Sequence, residues 1–217
     1  MPQIKLIIFD LDGTLVDAYE AVRASINHAL KEFGLAPIDI KTIKRRVGWG
    51  EKKLLAHFVP PLHMEHALKL YQRHHQRALK KGAKFLPDAQ RIIKFLLKNN
   101  YRLGIASNRP SIFTRRILKN LNSFHHFDSV WCQDQVKRGK PSGDLLRAIL
   151  DEQGLNKDEA IFIGDMTIDV QAAHDAGMKA IVVVGGSSTR RDIIKLKPFK
   201  IIKRLNELPQ ILRNVEG

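Results

Sequence analysis

Hydrophobic residues fall in short, nearly continuous runs that are spaced along the chain. Runs rich in β-branched and aromatic residues occur at 4–9, 102–106, 127–132, 160–164 and 180–184, with a weaker run at 199–202. Stretches with helical spacing of apolar residues, such as 89–97 and 142–153, separate most of them. Apolar strands that alternate with helices are typical of a parallel sheet covered by helices on both faces. The pattern therefore predicts an α/β fold.

The long interval after the first run contains no convincing strand. Apolar residues recur at helical spacing over 22–33 and again over 64–78. Gly34 and Gly82 stand where these two helices could end. A helical insertion over 17–85 is the simplest account of this interval. It predicts two domains, namely an α/β core built from 1–16 and 86–217 and an all-helical domain built from 17–85.

Composition and charge narrow the class of protein without naming a partner. The 217 residues are 44% hydrophobic and include one cysteine, Cys132. No apolar stretch reaches the roughly 18 residues of a membrane span, and no signal peptide is recognisable, so we expect a cytoplasmic protein without a membrane partner. The net charge of +15 fits either an ordinary solvated surface or attraction to small phosphates or nucleic acid. Because the basic residues are dispersed and no nucleic-acid-binding motif is present, nucleic acid is the less favoured partner.

Polar side chains follow four of the predicted strands, at the point where each strand ends. In chain order they are Asp10, Asp12, Thr14, Ser107, Asn108, Lys140, Asp165 and Asp169. Ligands of open parallel sheets bind at the carboxyl ends of the strands, so these groups should meet at one edge. Carboxylates are suitable ligands for Mg²⁺, while a lysine and a hydroxyl can hold phosphate oxygens. The sequence therefore predicts a site for a divalent cation and a phosphate.

Four motifs in this order, D-L-D-G-T-L, S-N, K-P and G-D-M-T-I-D, resemble those of the haloacid dehalogenase superfamily of phosphohydrolases. The resemblance covers essentially the whole chain, and K-P-S-G-D-L-L is similar to the phosphoglycolate-phosphatase-like branch. It implies a Rossmann-like core, and it implies that the insertion is a small helical cap domain. It also implies a Mg²⁺-dependent phosphatase that hydrolyses a small phosphomonoester, phosphoglycolate-like or a sugar or nucleotide phosphate, through a phosphoaspartate intermediate.

The same resemblance implies a role for each motif residue. Asp10 would attack phosphorus, and Asp12 would protonate the leaving oxygen and later deprotonate water. Ser107 and Lys140 would bind the transferred phosphoryl group, with Asn108 as a further contact. The implied metal ligands are Asp10, the backbone carbonyl of Asp12 and Asp165. Asp169 would orient waters or Lys140 without binding the metal directly.

Other chemistries of the superfamily are weighed by single positions. Asp12 disfavours a dehalogenase, which lacks the acid/base aspartate there, and Val22 stands where a sugar-phosphate mutase usually carries a histidine. A phosphonatase uses a lysine of the cap as a Schiff base. Because Lys52 or Lys53 could serve in this way, a phosphonatase stays a minor alternative, as does a pyrophosphatase. A basic nucleic-acid-binding protein on a hydrolase scaffold is the least favoured alternative.

The inserted segment supplies expectations about the substrate. Its stretch R-R-V-G-W-G-E-K-K-L-L (45–55) is similar to a loop that reaches over the site in phosphoglycolate-type enzymes. We expect one of Arg45, Arg46, Lys52 and Lys53 to contact an anionic part of the substrate, and we assign Arg46 to substrate binding. The protein could be a monomer or a homodimer. Four histidines of the insertion are expected on solvated helix faces rather than at a metal site: His63, His66, His74 and His75.

Overall fold

A parallel β-sheet forms the centre of the protein in the computed structural model, which describes residues 3–216. Within this range the strands are β1 (Leu6–Phe9), β2 (Val16–Asp17), β3 (Lys84–Phe85), β4 (Arg102–Ser107), β5 (Ser129–Cys132), β6 (Ala160–Gly164), β7 (Lys179–Val183) and β8 (Lys200–Ile202). Six of them form the main sheet in the order β5-β4-β1-β6-β7-β8, with every neighbouring pair parallel. The predicted α/β fold and its six strands are confirmed, each to within two residues at either end.

Helices connect the strands and cover the sheet. They are α1 (Tyr19–Glu32), α2 (Ile40–Lys44), α3 (Glu51–Leu55), α4 (Met64–Gly82), α5 (Ala89–Lys98), α6 (Ser111–Asn120), α7 (Asp144–Gln153), α8 (Thr167–Asp175), α9 (Arg190–Lys195) and α10 (Leu208–Glu216). None of the described helices has the length and apolar character that crossing a membrane requires.

The sheet has two hydrophobic cores because both of its faces are covered. In β1 all four residues are buried, and successive side chains point to opposite faces. Ile7 and Phe9 join the core under α5, α6 and α10, whereas Leu6 and Ile8 join the core under α7, α8 and α9. A strand buried on both faces must be apolar throughout, which explains why β1 reads as a continuous hydrophobic run.

Helices α1 to α4 form the segment between β2 and β3 and share a hydrophobic cluster of their own. Val22, Ile26 and Leu30 of α1 pack there with Tyr71 of α4. The helix ends predicted at Gly34 and Gly82 agree with the observed ends of α1 and α4, and Gly34 has a φ of 65° that favours glycine. The division into two domains stays a prediction.

The prediction that the insertion contains no strand was wrong at its two borders. Val16 pairs with Phe85 and Asp17 pairs with Lys84 in a two-residue antiparallel ribbon, β2–β3. Strands this short have no periodicity that a sequence pattern could reveal. The ribbon brings together the two chain segments that lead into and out of the helical insertion.

The order of the strands positions the functional residues. From the central β1, the chain reaches β4 and β5 on one side and β6, β7 and β8 on the other. The order therefore reverses beside β1, and such a reversal opens a crevice at the carboxyl ends of the strands. Residues that follow β1, β4 and β6 consequently approach one another.

Candidate active site

Three carboxylates meet at the carboxyl ends of β1 and β6. Asp10, Asp165 and Asp169 are buried, and each offers an oxygen within 4.8 Å of an oxygen of the other two. Burial is the main cause that raises the pKa of Asp10 to about 7 and the pKa of Asp165 well above its usual value, and Asp169 raises both further. Buried oxygen donors that repel one another in this way suit a hard divalent cation, which would neutralise them.

Lys140 links two members of this carboxylate cluster. Its Nζ donates to Oδ1 of Asp10 at 2.6 Å and to Oδ1 of Asp169 at 2.7 Å. Burial alone would lower the pKa of Lys140, but the two carboxylates raise it above its ordinary value. The lysine therefore carries a full positive charge at neutral pH, directly beside Asp10.

The other contacts of the cluster fix the two remaining aspartates. Asp165 accepts hydrogen bonds from the Thr14 hydroxyl at 3.2 Å and from the backbone N–H of Ser187 at 3.1 Å. Asp169 accepts from the backbone N–H groups of Asp165 and Met166 through Oδ2, at 3.1 and 2.8 Å. The structure thus places Asp169 in the cluster itself, and both of its oxygens hold neighbouring groups in position.

Asp12 lies outside the carboxylate cluster and pairs with a residue that the sequence analysis did not single out. Arg109 donates from Nε and Nη2 to the two oxygens of Asp12, at 2.7 and 2.8 Å. Its Nη1 lies 2.6 Å from Nε2 of His75 on α4. Asp12 belongs to the first motif, whereas Arg109 is the residue directly after the S-N motif.

Ser107 and Asn108 sit at the end of β4, as predicted, but their contacts differ. The Ser107 hydroxyl accepts from the backbone N–H of Arg109 at 3.1 Å. The Asn108 side chain accepts from the backbone N–H of Lys140 at 2.7 Å and donates to the carbonyls of Lys140 and Gly48, at 2.8 and 3.0 Å. Asn108 therefore positions the backbone at Lys140 and ties it to the inserted segment.

A cavity of about 70 Å³ lies among these residues. This volume leaves room for several waters. Its walls come from the sheet edge and from the inserted segment. The predicted site residues that line it are Asp10, Asp12, Ser107, Asn108 and Lys140. Added to them are Arg109 and a largely apolar wall with Glu51 in it, formed by Val22, Val47, Leu54, Tyr71, Met166 and Ile168 among others.

The basic residues expected to face the substrate lie elsewhere. Arg46 is exposed, contacts His57 and Phe58, and lines a separate surface depression with Thr42 and Arg45. Lys53 packs over the Trp49 ring at 5.0 Å. Among the described residues of the 45–55 stretch, it is Glu51 that brings a charged side chain to the cavity wall.

His75 was wrongly expected on a solvated helix face. It is fully buried, stacks on Tyr71 at 4.8 Å, and has Nδ1 3.0 Å from the Ser25 hydroxyl. Burial, assisted by Arg109, lowers the pKa of His75 to about 2. The helical spacing of Tyr71, His75 and Leu79 was the signal that could have placed this histidine on the buried stripe of α4.

Comparison with known proteins adds independent evidence. The sequence model of the haloacid dehalogenase-like hydrolase family matches residues 7–183. The phosphoglycolate phosphatase of Rhodospirillum rubrum is 32% identical over an alignment of 195 positions that covers 85% of this chain and 81% of that protein. The phosphoglycolate phosphatase of Photorhabdus laumondii is 29% identical over an alignment of 217 positions that covers 94% of this chain and 91% of that protein.

The fold recurs in a solved structure as well. The crystal structure of a predicted phosphoglycolate phosphatase from Haemophilus somnus 129pt has a TM-score of 0.90 at 24% identity, covering 97% of this chain and 99% of that one. This likeness confirms the fold. The family match and the curated relatives confirm the predicted resemblance and, with it, the predicted enzyme class of phosphatase. The chain belongs to the haloacid dehalogenase-like hydrolase family.

Proposed function

We propose that the protein is a Mg²⁺-dependent phosphatase that hydrolyses a small phosphomonoester through a phosphoaspartate formed on Asp10. The observation that carries this proposal is the position of Asp10, which touches the charged Lys140, lies within 4.8 Å of two further carboxylates and lines the cavity. A cation held by Asp10 and Asp165, with the carbonyl of Asp12, would neutralise charge on the phosphoryl group and the carboxylates.

The first half of the reaction transfers the phosphoryl group to the enzyme. An oxygen of Asp10 attacks phosphorus, and the bond from phosphorus to the ester oxygen breaks. Lys140 and the Ser107 hydroxyl hold the phosphoryl oxygens as negative charge moves onto them. Asp12 donates its proton to the departing alkoxide, which leaves as an alcohol.

The second half releases phosphate. Asp12, now a carboxylate, accepts a proton from a water that attacks phosphorus, and the bond from phosphorus to Asp10 breaks. In the conformation described here, Arg109 donates hydrogen bonds to both oxygens of Asp12. This pair fixes the orientation of the proposed acid/base carboxyl at the cavity.

The inserted segment 17–85 is proposed to act as a cap domain over the site. Gly48, Glu51 and Tyr71 of this segment line the cavity together with residues of the sheet edge. A cap that closes over the site would exclude bulk water and large substrates such as phosphoproteins. Of the lysines in the described residues, Lys140 alone lines the cavity, which argues against a phosphonatase that uses Lys52 or Lys53 as a Schiff base.

The test measures hydrolysis of p-nitrophenyl phosphate and a panel of small phosphate esters with Mg²⁺ and with EDTA. We expect turnover that EDTA abolishes and that Asp10→Asn abolishes while the protein stays folded. Asp151→Asn, which changes an exposed aspartate of α7, is the control and should keep wild-type turnover. Asp12→Asn should accumulate an enzyme whose mass has increased by one phosphoryl group, detected after rapid quenching. An active Asp10→Asn protein, or no turnover of any ester, would refute the proposal.

A further inference from the structure

Glu51 lines the cavity and carries a carboxylate oxygen without a hydrogen-bond partner among the described residues. One of its oxygens accepts a hydrogen bond from the Gln72 side chain. The other, Oε2, is buried and has no hydrogen-bond partner among the described residues. Burial is the main cause that raises the pKa of Glu51 above its usual value. A buried acceptor without a partner is costly, so a ligand that donates a hydrogen bond to it would gain from doing so.

The cations near Glu51 are already engaged by other groups. Arg109 donates from Nε and Nη2 to Asp12 and from Nη1 to His75, so three of its five N–H groups have partners in the protein. Lys140 is held by Asp10 and Asp169. Both cations are therefore already paired with groups of the protein, and Arg46 lies outside the cavity.

Different elements contribute the polar groups of the cavity. Asp10 and Lys140 follow strands of the sheet, whereas Glu51 belongs to α3 of the inserted segment. The phosphate end of a substrate meets Lys140 and the proposed cation site. A carboxylate at the other end of the substrate would come beside Glu51, and like charges at such short range strongly disfavour binding.

From these contacts we infer that Glu51 selects the leaving group, and that the substrate is a phosphate ester whose alcohol carries a hydrogen-bond donor, a hydroxyl or an ammonium, rather than a carboxylate. This inference rests on the proposed phosphatase activity and narrows its substrate class. It separates this chain from the phosphoglycolate phosphatases that it resembles, because the leaving group of phosphoglycolate carries a carboxylate. Glu51 acts by contact with the leaving group and takes no part in phosphoryl transfer.

The experiment compares three two-carbon esters that differ only at the far end: phosphoglycolate, 2-hydroxyethyl phosphate and O-phosphoethanolamine. We expect the wild-type kcat/KM for at least one of the two donor-bearing esters to exceed that for phosphoglycolate by about tenfold or more. In Glu51→Gln the repulsive charge is gone, so this ratio should fall by about tenfold. If the favoured donor is an ammonium, kcat/KM for O-phosphoethanolamine should fall more than that for 2-hydroxyethyl phosphate.

Controls separate this inference from the proposed function. Glu65→Gln changes an exposed glutamate of α4 and should keep the wild-type ratios. A wild-type preference for phosphoglycolate, or kcat/KM ratios unchanged in Glu51→Gln, would overturn the inference about Glu51. Hydrolysis of p-nitrophenyl phosphate by the same protein would still support the proposed phosphatase activity. If none of the three esters is turned over, their binding in the presence of Mg²⁺ is measured by calorimetry. Tighter binding of phosphoglycolate than of both donor-bearing esters would then overturn the inference about Glu51.

Discussion

Arg109 holds Asp12 through two parallel hydrogen bonds of 2.7 and 2.8 Å, across 97 positions of sequence. The two side chains are 10% and 24% exposed, so this ion pair is largely shielded from water. It joins the loop after β1 to the loop after β4, and through His75 it reaches α4 of the inserted segment. The proposed acid/base residue is thus held by the same side chain that contacts the proposed cap.

A double-mutant cycle should reveal strong coupling between these two residues. Arg109→Met leaves Asp12 partly buried without its partner, and we expect it to lower the free energy of unfolding by about 2–4 kcal/mol. Combining it with Asp12→Asn should cost less than the sum of the single changes, by about 1–3 kcal/mol. Urea unfolding of the four proteins measures this coupling.

The exposed pair Lys69–Glu65 on α4 is the matched control for that cycle. Exposed pairs four residues apart on a helix contribute only about 0.3–0.5 kcal/mol, because water screens both charges. A coupling between Arg109 and Asp12 no larger than that between Lys69 and Glu65 would contradict the structural interpretation.

The sequence predicted those features that depend on local patterns. The strands were recognisable because a strand buried on both faces is an unbroken apolar run, and the rule for carboxyl ends then brought Asp10, Lys140 and Asp165 together. Glu51 could not be found in this way. It lies in a stretch with four basic residues, and only the fold shows that its side chain reaches the cavity wall while Arg46 stays on the surface. Arg109 follows a recognised motif, but its partner is far away in the chain.

Asn108 offers a test of how the loop of Lys140 is held. Asn108→Asp removes the amide that donates to the carbonyls of Lys140 and Gly48 and places a charge beside both. We expect Lys140 to lose its fixed position, so that kcat falls by about tenfold or more. Steady-state kinetics with p-nitrophenyl phosphate and excess Mg²⁺ measures the effect.

Asn27 provides the control for Asn108 because it holds backbone in the same manner. Its side chain donates to the carbonyl of Ile38 at 3.0 Å and accepts from the Ile38 N–H at 2.8 Å, and neither residue lines the cavity. Asn27→Asp should reduce stability and leave kcat within about twofold of wild type. Equal losses of kcat in both variants would show that the Asn108 effect is one of general stability.

Mg²⁺ should stabilise the folded protein through the carboxylate cluster. Ligand that binds only the folded state adds about 2.7 kcal/mol at a concentration of 100 times its Kd, which corresponds to a rise in Tm of several degrees for a chain of this size. Asp165→Asn should remove most of this rise. Without metal the same variant should be at least as stable as wild type, because it removes a carboxylate whose pKa is raised by burial and by the neighbouring Asp169 and Asp10.

Thermal unfolding with Mg²⁺ and with EDTA measures both effects of Asp165→Asn. Asp158→Asn, at an exposed position, is the control and should keep the full rise with Mg²⁺. A wild-type protein whose Tm does not respond to Mg²⁺, or an Asp165→Asn variant with the full response, would contradict the proposed metal site.

His75 must be neutral in the folded protein, and its hydrogen bonds identify the tautomer. A guanidinium can only donate, so the contact with Arg109 Nη1 makes Nε2 the acceptor and leaves the proton on Nδ1, beside the Ser25 hydroxyl. Protonation of Nε2 would turn its N–H toward Arg109. This arrangement agrees with the lowering of the His75 pKa to about 2 by burial and by Arg109.

The lowered pKa predicts how stability depends on pH. An unfolded histidine takes up a proton near pH 6.5 and the folded His75 does not, so the unfolded state gains protons, and stability is lost, as pH falls below 6.5. Between pH 7 and pH 5 this effect amounts to about 2 kcal/mol.

His75→Gln can keep the hydrogen bond from Arg109 but has no such titration, so its free energy of unfolding should fall by about 2 kcal/mol less than that of wild type over this range. Urea unfolding at several pH values without metal gives the difference. His125→Gln, at an exposed histidine, should follow the wild-type slope, and a His75→Gln protein that also follows it would show that His75 titrates as freely in the folded state as in the unfolded chain.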